Sequence, residues 1–391
     1  MSHPNLPRQR AEFASRTPTR PKGARDLGLY VHFPWCVRKC PYCDFNSHPL
    51  RGNLEEDTYV KALLADFQLE RRRDSSPISS VFFGGGTPSL FSPRAFATLI
   101  DEFGLAKDVE VTMEANPGTV EVAGSLDAYR EAGINRISLG AQSFDASMLA
   151  TLGRIHGARE TVEAAASVVR AGFPQFNTDI MFGLPGQNDT SACDDLKRAI
   201  DLGPTHISWY QLTIEPKTEF ARRPPSLPGA DAVADIADAG QALLRSHGYV
   251  RYEVSAYAQP GGEAQHNVNY WTFGDYLGIG AGAHGKITHD GAILRTAKVK
   301  QPRLYLTQTP EAATRIDTIE PDARPLEFMM NALRLVDGVE ERVFEQRTYL
   351  PLSVIADQLG ELRSSHLMRD DRLALTPYGY DHLDDVLGRF V

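Results

Sequence analysis

The feature that most restricts the fold of this chain is an alternation of short apolar segments with amphipathic helical segments. Six apolar segments of strand length lie between residues 28 and 216, among them SVFFGGG, VEVTMEAN and FNTDIMFGLP. Between them are segments with helical apolar spacing, such as EEDTYVKALLADFQLERRR and RETVEAAASVVRAG. Buried strands that alternate with helices predict a parallel sheet built from right-handed crossovers. Polar side chains follow several of these strands, at the edge where α/β barrels gather their active sites.

The composition changes along the 391 residues and suggests a domain organisation. Residues 1–26 are rich in Pro, Arg and Ser and lack periodicity, which predicts a disordered tail. Residues 27–291 carry the α/β pattern, and residues 292–323 are predicted to be a linker region. Residues 324–391 are expected to form a small, mainly helical, winged-helix-like C-terminal domain. One large and one small domain suit a chain of this length.

Charge and hydropathy exclude two classes of function. The formal net charge of -9 argues against a nucleic-acid partner, because phosphate binding normally requires a basic face. No apolar run is long enough for a transmembrane segment, and no apolar signal region is present at the N-terminus. We therefore expect a cytoplasmic protein. Peripheral membrane contact through the arginine-bearing tail stays open.

Three of the four cysteines, Cys36, Cys40 and Cys43, lie close together in YVHFPWCVRKCPYCDF. Such a cluster in a chain without a signal segment indicates metal ligands rather than disulfides. Structural zinc sites usually take four protein ligands from two separated pairs, so zinc would have to recruit a histidine such as His32 or His48. A four-iron cluster is the other solution, because three thiolates leave one iron open to a small molecule. The cysteines alone leave both alternatives open.

The C-x3-C-x2-C spacing, with Tyr42 directly before the last cysteine, resembles the signature of the radical SAM superfamily. The resemblance implies that residues 27–291 form a partial (β/α)6 TIM-like barrel and its extension. It also implies a [4Fe-4S] cluster on Cys36, Cys40 and Cys43, with S-adenosylmethionine (SAM) on the open iron. An electron donor that reduces the cluster is then an expected partner.

Residues at the strand ends extend this resemblance to the HemN/HemW family of oxygen-independent coproporphyrinogen III oxidases and heme chaperones. The glycine triplet after the second strand lets backbone groups approach a ligand closely. Glu114 offers a carboxylate that accepts hydrogen bonds from a ribose or an ammonium group. Carried over position by position, the resemblance implies SAM contacts by Tyr30, Tyr42, Gly84, Gly85, Gly86, Thr87, Glu114, Gln142, Arg154, Asp179 and Thr213.

Two local features separate the oxidase and chaperone branches. The oxidases continue the cysteine motif as C-x3-C-x2-C-x-C, whereas this chain has Phe45 at the final position. The sequence HNVNYW matches an H-N-x-x-Y-W motif associated with heme binding in the chaperone branch. The resemblance therefore implies heme contacts by His266, Asn267, Tyr270 and Trp271, with an imidazole as axial ligand and aromatic rings on the porphyrin.

We therefore predict a heme chaperone that binds the cluster, SAM and heme and delivers heme to acceptor apo-hemoproteins. The alternative is an oxygen-independent coproporphyrinogen III oxidase in porphyrin biosynthesis, and a zinc-binding structural or interaction protein is a more distant one. Whether the chain is an enzyme stays open. HNVNYW is expected in a loop, where Asn267 and Tyr270 have the alternative role of bracing that loop against the barrel mouth.

Overall fold

The computed structural model describes residues 27–391, so the predicted disordered tail, residues 1–26, lies outside the described residues. The strands are β1 Leu27–Phe33, β2 Trp35–Cys36, β3 His48–Pro49, β4 Ile78–Gly85, β5 Glu110–Ala115, β6 Arg136–Gln142, β7 Gln175–Phe182, β8 His206–Gln211, β9 Val250–Glu253, β10 Ala256–Ala258, β11 Asp275–Ile279, β12 His284–His289, β13 Ala292–Lys298 and β14 Thr314–Ile319. The α-helices are α1 Glu56–Arg73, α2 Pro93–Phe103, α3 Leu126–Glu131, α4 Ala146–Thr151, α5 Ala158–Arg170, α6 Asp189–Asp201, α7 Glu219–Arg222, α8 Ala230–Ser246, α9 Gln265–Trp271, α10 Pro302–Thr307, α11 Arg324–Ala332, α12 Glu341–Thr348, α13 Ala356–Ser364, α14 Pro377–Tyr380 and α15 Leu383–Leu387.

Twelve of the strands form one sheet in the order β14-β13-β12-β11-β1-β4-β5-β6-β7-β8-β10-β9. The strands from β11 through β1 and β4 to β8 are parallel. The six predicted strand segments are β1 and β4 to β8, joined by crossovers that contain helices, so the predicted α/β class is confirmed. Because the strands are parallel, their carboxyl ends meet at one edge of the sheet.

The sheet is buried under helices, as parallel sheets require. Alternate residues of β1 and β4, including Phe33 and Phe83, pack with Phe96 of α2 and Tyr129 of α3. The aromatic rings of Phe33 and Phe96 are stacked with centroids 5.5 Å apart. This cluster fixes β1 and β4, the two strands that lead into the cysteine and glycine segments.

Residues 292–323, predicted to be a linker region, contain strands of the main sheet. They form β13, α10 and β14, and each of the two strands pairs with its neighbour in antiparallel register. Ile293 and Ile319 are buried in a cluster with the C-terminal helices, which gives these residues a core of their own. The sequence did not indicate these two strands, because both carry polar residues between their apolar ones.

A buried ion cluster ties β13 to α1. The Lys298 ammonium donates to Asp66 at 2.5 Å, to Glu70 at 2.6 Å and to the Thr314 hydroxyl at 2.9 Å. The Tyr305 hydroxyl donates to the second Asp66 oxygen at 2.8 Å. Removing one partner of such a cluster leaves the remaining buried charges uncompensated. The outer part of the sheet is therefore fastened to the first crossover helix.

The residues after β14 form the predicted small, mainly helical domain. Its core contains Phe328, Leu333, Phe344 and Leu373. Isolated antiparallel bridges, such as that between Val339 and Leu373, supply the small β element. Every helix in residues 27–391 is too short or too polar to cross a lipid bilayer.

Candidate functional site

A cavity of about 320 Å³ opens at the carboxyl ends of the parallel strands. The three clustered cysteines line it together with the glycine segment after β4 and polar side chains from the neighbouring strands. The predicted site residues that line it are Cys36, Cys40, Tyr42, Cys43, Gly85, Gly86, Thr87, Glu114, Gln142, Arg154, Asp179 and Thr213. Residues far apart in the sequence therefore meet as the parallel topology predicts.

The cysteines lie on a folded loop rather than on a flexible segment. Cys36 ends β2, which pairs in parallel with β3. The amide of Cys43 donates to the carbonyl of Cys40 at 3.2 Å. The Lys39 ammonium donates to the carbonyls of Phe45 at 2.9 Å and Ser47 at 3.3 Å. The loop thus has its own hydrogen bonds that hold the three thiols at one side of the cavity.

The environment acts on the three thiols in opposite directions. Burial raises the pKa of Cys36 to about 11 and raises the pKa of Cys43. Metal binding would have to displace these protons, which makes it pH-dependent. The Arg154 guanidinium lies 3.6 Å from the Cys40 sulfur. A cation in that place stabilises a thiolate.

The described residues form no compact group for a single metal ion. Within residues 27–391, no three His, Cys, Asp or Glu side chains converge as a single metal ion requires. A four-iron cluster does not require such convergence, because each thiolate binds a different iron. The zinc alternative gains no support from the described residues.

The glycine segment at the end of β4 packs directly on β1 and on Trp35, the first residue of β2. Gly85 has a φ of 113°, and a Cβ there would lie 2.4 Å from the ring of His32. A Cβ at Gly86 would lie 2.3 Å from the carbonyl oxygen of Trp35. The Gly86 amide donates to the carbonyl of Phe33 at 2.6 Å. Glycine is therefore required here for close backbone packing beside the cavity.

Two carboxylates lie on the inner wall of the cavity. Burial and the nearby charge of Asp179 raise the pKa of Glu114 to about 8, although the Gly85 amide donates to it at 3.0 Å. Burial also raises the pKa of Asp179, which accepts from Asn177 at 2.7 Å and from Ser138 at 3.3 Å. Two adjacent carboxylates of this kind fit a ligand with a positive charge, because a cation relieves their mutual repulsion.

Arg154 supplies the opposite charge at the same cavity. One of its terminal nitrogens donates to the carbonyl of Gly140 at 2.8 Å, and the other approaches Cys40. Its Nε is buried and has no partner among residues 27–391. A buried unpartnered donor beside a carboxylate pair fits a zwitterion, and the methionyl part of SAM carries an ammonium and a carboxylate. The residues present therefore fit SAM.

Gln142 ends β6 in a conformation that few non-glycine residues adopt. Its φ is 69°, and its side-chain oxygen accepts from the hydroxyl of Tyr210 at 2.6 Å. Such strained conformations concentrate at functional sites. Ser138, Met181 and Tyr210 line the cavity but were missed in the sequence. Ser138 lies on β6, which also carries Gln142, and Tyr210 lies on β8, next to β7. The alternation of side chains along these strands could have predicted both residues from the sequence.

Tyr30 and Gly84 are the two predicted SAM residues that do not line the cavity. The Nε2 of His32 donates to the carbonyl of Asn46 at 2.9 Å, so its Nδ1 accepts from the Tyr30 hydroxyl, also at 2.9 Å. Tyr30 is thus connected through His32 to the loop that carries the cysteines. A Cβ at Gly84 would meet the rings of Phe82 and Tyr30.

The HNVNYW segment is a helix, α9, and not the predicted loop. His266 is 1% exposed, and its ring nitrogens contact the hydroxyls of Ser80 at 3.0 Å and Tyr270 at 2.9 Å. Its ring stacks on Phe82 with centroids 5.3 Å apart, and burial lowers the pKa of His266 to about 3. The spacing of His266 and Tyr270 by one helical turn allows their hydrogen bond. The loop prediction was wrong because the tertiary contacts of this helix outweigh its polar composition.

The helix α9 lies at the edge of the sheet opposite the cysteines. Ser80 belongs to the start of β4, and the amide of His266 donates to Glu110, the first residue of β5. At the other end of α9, the guanidinium of Arg334 lies 4.3 Å from the centre of the Trp271 ring. The helix therefore connects the sheet with the C-terminal domain. In this conformation His266 has no free ring nitrogen for a heme iron.

Comparison with known proteins agrees with this architecture. Residues 30–199 match the model of the radical SAM superfamily, and residues 319–382 match that of the HemN C-terminal domain. The heme chaperone HemW of Escherichia coli (strain K12) is 47% identical over 373 residues, which cover 93% of this chain and 98% of that protein. The heme chaperone HemW of Haemophilus influenzae is 46% identical over 377 residues, with the same coverage. The chain belongs to the HemW family of radical SAM proteins.

Membership in the radical SAM superfamily implies a [4Fe-4S] cluster and SAM. A solved structure of coproporphyrinogen III oxidase (HemN) from Escherichia coli has a TM-score of 0.78 and 24% sequence identity, and the match covers 94% of this chain and 90% of that one. At this identity the oxidase shows a shared fold. The functional proposal therefore depends on the HemW relatives and not on the oxidase structure.

Proposed function

We propose that this chain is a heme chaperone that binds a [4Fe-4S] cluster, SAM and heme and passes heme to acceptor apo-hemoproteins. The observation that supports it most is similarity to HemW proteins at 47% identity over nearly the whole length of both chains. Phe45 supports the same branch, because the oxidases continue the cysteine motif at that position with a fourth cysteine. Its side chain is 60% exposed at the rim of the cavity.

In this proposal Cys36, Cys40 and Cys43 hold three irons of the cluster, and SAM completes the fourth. A cluster held by these cysteines and reduced by an electron donor would supply one-electron chemistry to SAM. Glu114 and Asp179 accept hydrogen bonds from the positively charged part of SAM. Arg154 compensates thiolate charge and offers its unpartnered Nε to the SAM carboxylate. The remaining residues of the predicted set line the cavity around these groups, apart from Tyr30 and Gly84.

Tyr30 acts as a positioning residue in this proposal. Its hydrogen bond to His32, and that of His32 to the Asn46 carbonyl, connect β1 to the cysteine loop. These two hydrogen bonds therefore fix the cysteine loop relative to the end of β1 that faces the cavity. Free thiols and a reducible cluster favour a reducing compartment, so we place the protein in the cytoplasm.

Heme contact by His266, Asn267, Tyr270 and Trp271 stays a prediction of the family resemblance. For His266 to bind iron, α9 would have to release its hydrogen bond to Ser80 or to Tyr270. The alternative weighed from the sequence, in which Asn267 and Tyr270 brace a loop against the barrel mouth, also differs from the structure, because α9 contacts the starts of β4 and β5 at the opposite edge of the sheet. The heme-chaperone proposal depends on heme binding and not on His266.

Coproporphyrinogen III oxidase activity is the second candidate, because the HemN structure shares the fold. One experiment separates the two. The protein is reconstituted anaerobically, titrated with hemin at the Soret band, and assayed for coproporphyrinogen III conversion with SAM and a reductant. We expect saturable hemin binding and no conversion of the porphyrinogen. Conversion without hemin binding would establish the oxidase instead.

A further inference from the structure

The ribbon of β2 and β3, which carries the cysteine loop, has open space on both of its sides. Cys36 lines the cluster cavity on one side. On the other side, a second cavity of about 390 Å³ lies between the residues before α1 and the helix α10, with Arg51 and Arg303 in its lining. Trp35 belongs to the apolar floor of this second cavity and packs against the main hydrophobic core. Packing therefore holds the ribbon only in part, and the position of the loop depends on its hydrogen bonds to the rest of the fold.

Asn46 joins the cysteine loop to a distant part of the chain. Its side-chain NH2 group donates to the carbonyls of Ala281 at 2.9 Å and Lys300 at 2.8 Å. Its own backbone carbonyl accepts from the ring of His32 at 2.9 Å. Because carbonyl oxygens only accept hydrogen bonds, the group that faces Ala281 and Lys300 must be a double donor, and the amide of asparagine is one.

The turn at residues 280–283 connects β11 to β12 and receives the Asn46 side chain. The amide of Ala283 donates to the carbonyl of Gly280 at 3.0 Å, which closes the turn. Gly282 has a φ of 85°, and a Cβ there would lie 2.2 Å from the amide nitrogen of Asn46. Glycine is therefore required at this position, because a side chain would occupy the place of the Asn46 amide group.

This turn is fixed from behind by buried groups. The amide of Gly280 donates to Asp66 at 3.1 Å, and the amide of Ala281 donates to the hydroxyl of Tyr59 at 3.0 Å. The same hydroxyl donates to the carbonyl of His32 at 2.7 Å. Asp66 also belongs to the buried ion cluster that fastens β13 to α1. The turn is therefore a rigid support, and the hydrogen bonds of Asn46 hold the cysteine loop on it.

The neighbours of Asn46 in the sequence face the other way. Phe45 and Ser47 line the cluster cavity, whereas the Asn46 side chain faces the turn. We propose that Asn46 is a positioning residue, which holds the cysteine loop in the conformation that the [4Fe-4S] cluster requires. It acts through the position of the three thiols and not through contact with the cluster. This inference rests on the proposed cluster site, adds the residue that maintains it, and is independent of heme binding.

The test compares N46D and N46A with wild type after anaerobic reconstitution of the full-length protein with iron and sulfide. N46D keeps the shape of the side chain and an acceptor for His48, but it cannot donate to the two carbonyls. We expect bathophenanthroline disulfonate to remove iron from N46D about tenfold faster than from wild type, and from N46A by a smaller factor, because water can hydrate the freed carbonyls. The visible circular dichroism of the cluster, which depends on its surroundings, should change in N46D. N53D, at an exposed asparagine, is the matched control and should behave like wild type.

A second pair of variants tests the same contact without a change at Asn46. G282A places a Cβ where the Asn46 amide lies and is expected to speed iron loss as N46A does. G291A is its matched control, because Gly291 has a similar φ of 79° and a Cβ there would meet only the Tyr349 ring, at 3.7 Å. Both variants introduce similar backbone strain, so a difference between them reports the blocked contact.

The outcomes separate this inference from the proposed function. If N46D and G282A retain iron as well as wild type does, Asn46 does not position the loop, and the chaperone proposal stands. If the variants unfold at lower urea concentration but keep the wild-type rate of iron loss and the wild-type visible spectrum, Asn46 contributes only to stability and the inference is again wrong. If wild type binds no cluster, the inference and the proposed cluster site both fail. Far-ultraviolet circular dichroism checks folding, and the comparison of G282A with G291A decides the question if N46D does not fold.

Discussion

Trp35 and Cys36 are adjacent residues of β2 whose side chains line two different cavities. Cys36 is one of the three clustered thiols, and Trp35 is part of the apolar floor behind them. The two cavities therefore adjoin the same two-residue strand.

The cysteine loop should lose its cluster without loss of the fold when one thiol is removed. We predict that C36A, after anaerobic reconstitution, lacks the iron–sulfur charge-transfer absorbance and has strongly reduced bound iron. The fold should persist because the loop has its own hydrogen bonds and the main core is elsewhere. C193A, on the remote helix α6, is the matched control and should load iron like wild type. Equal iron content in C36A and C193A would contradict the cluster assignment.

Glu114 should make the stability of the ligand-free protein depend on pH. The folded protein raises the pKa of Glu114 from 4.5 to about 8, so the folded state holds its proton more tightly than the unfolded state. This contribution to the free energy of unfolding is present below about pH 4.5 and is lost as the pH rises towards 8. We predict that E114Q, which cannot ionise, loses less stability than wild type between pH 6 and about 8. Urea denaturation at each pH measures the free energy of unfolding. The same pH dependence of this free energy in E114Q and wild type would contradict the assignment of a raised pKa.

The ion cluster of Lys298, Asp66 and Glu70 should be required for stability. K298M leaves the buried Asp66 without a cation and leaves Glu70 with Arg73 alone, so we predict a loss of about 3–5 kcal/mol in the free energy of unfolding. The triple variant D66N/E70Q/K298M removes all three charges and should recover most of that loss. Chemical denaturation measures both. A wild-type value for K298M would show that the cluster contributes no stability.

His266 should contribute to stability through its contacts in α9. H266A removes two hydrogen bonds and leaves a cavity beside Phe82, so we predict a loss of about 2–4 kcal/mol in the free energy of unfolding. At a temperature where the variant is folded, its hemin affinity should stay close to that of wild type. Loss of hemin binding together with unchanged stability would instead identify His266 as the axial ligand.

The sequence predicted the parts of this protein that depend on local pattern. The alternating strands and helices indicated the parallel sheet, and the three cysteines lie on one loop at the carboxyl edge. Glu114, Arg154 and Asp179 meet in the cavity because parallel strands end at a common edge. The sequence could therefore predict that these three residues lie close together, because their proximity follows from the parallel topology.

Features that depend on tertiary contacts were not visible in the sequence. Strand alternation could have indicated Tyr210 but not its hydrogen-bond partner, Gln142, which lies 68 residues away in the sequence. The HNVNYW segment was expected in a loop because its residues are polar. It is helical because His266 and Tyr270 find partners in the sheet and in each other. The cavity between Arg51 and Arg303 joins residues more than two hundred positions apart, so only the fold reveals it.

The most direct test of the central claim is heme transfer. Hemin-loaded protein, reconstituted with its cluster and SAM, is mixed with apomyoglobin, and the absorbance of the holo acceptor is followed over time. The account predicts transfer at a rate that depends on the apomyoglobin concentration and exceeds the spontaneous release of hemin to a passive scavenger. Transfer no faster than that spontaneous release would show that the protein binds heme without delivering it, and would contradict the account.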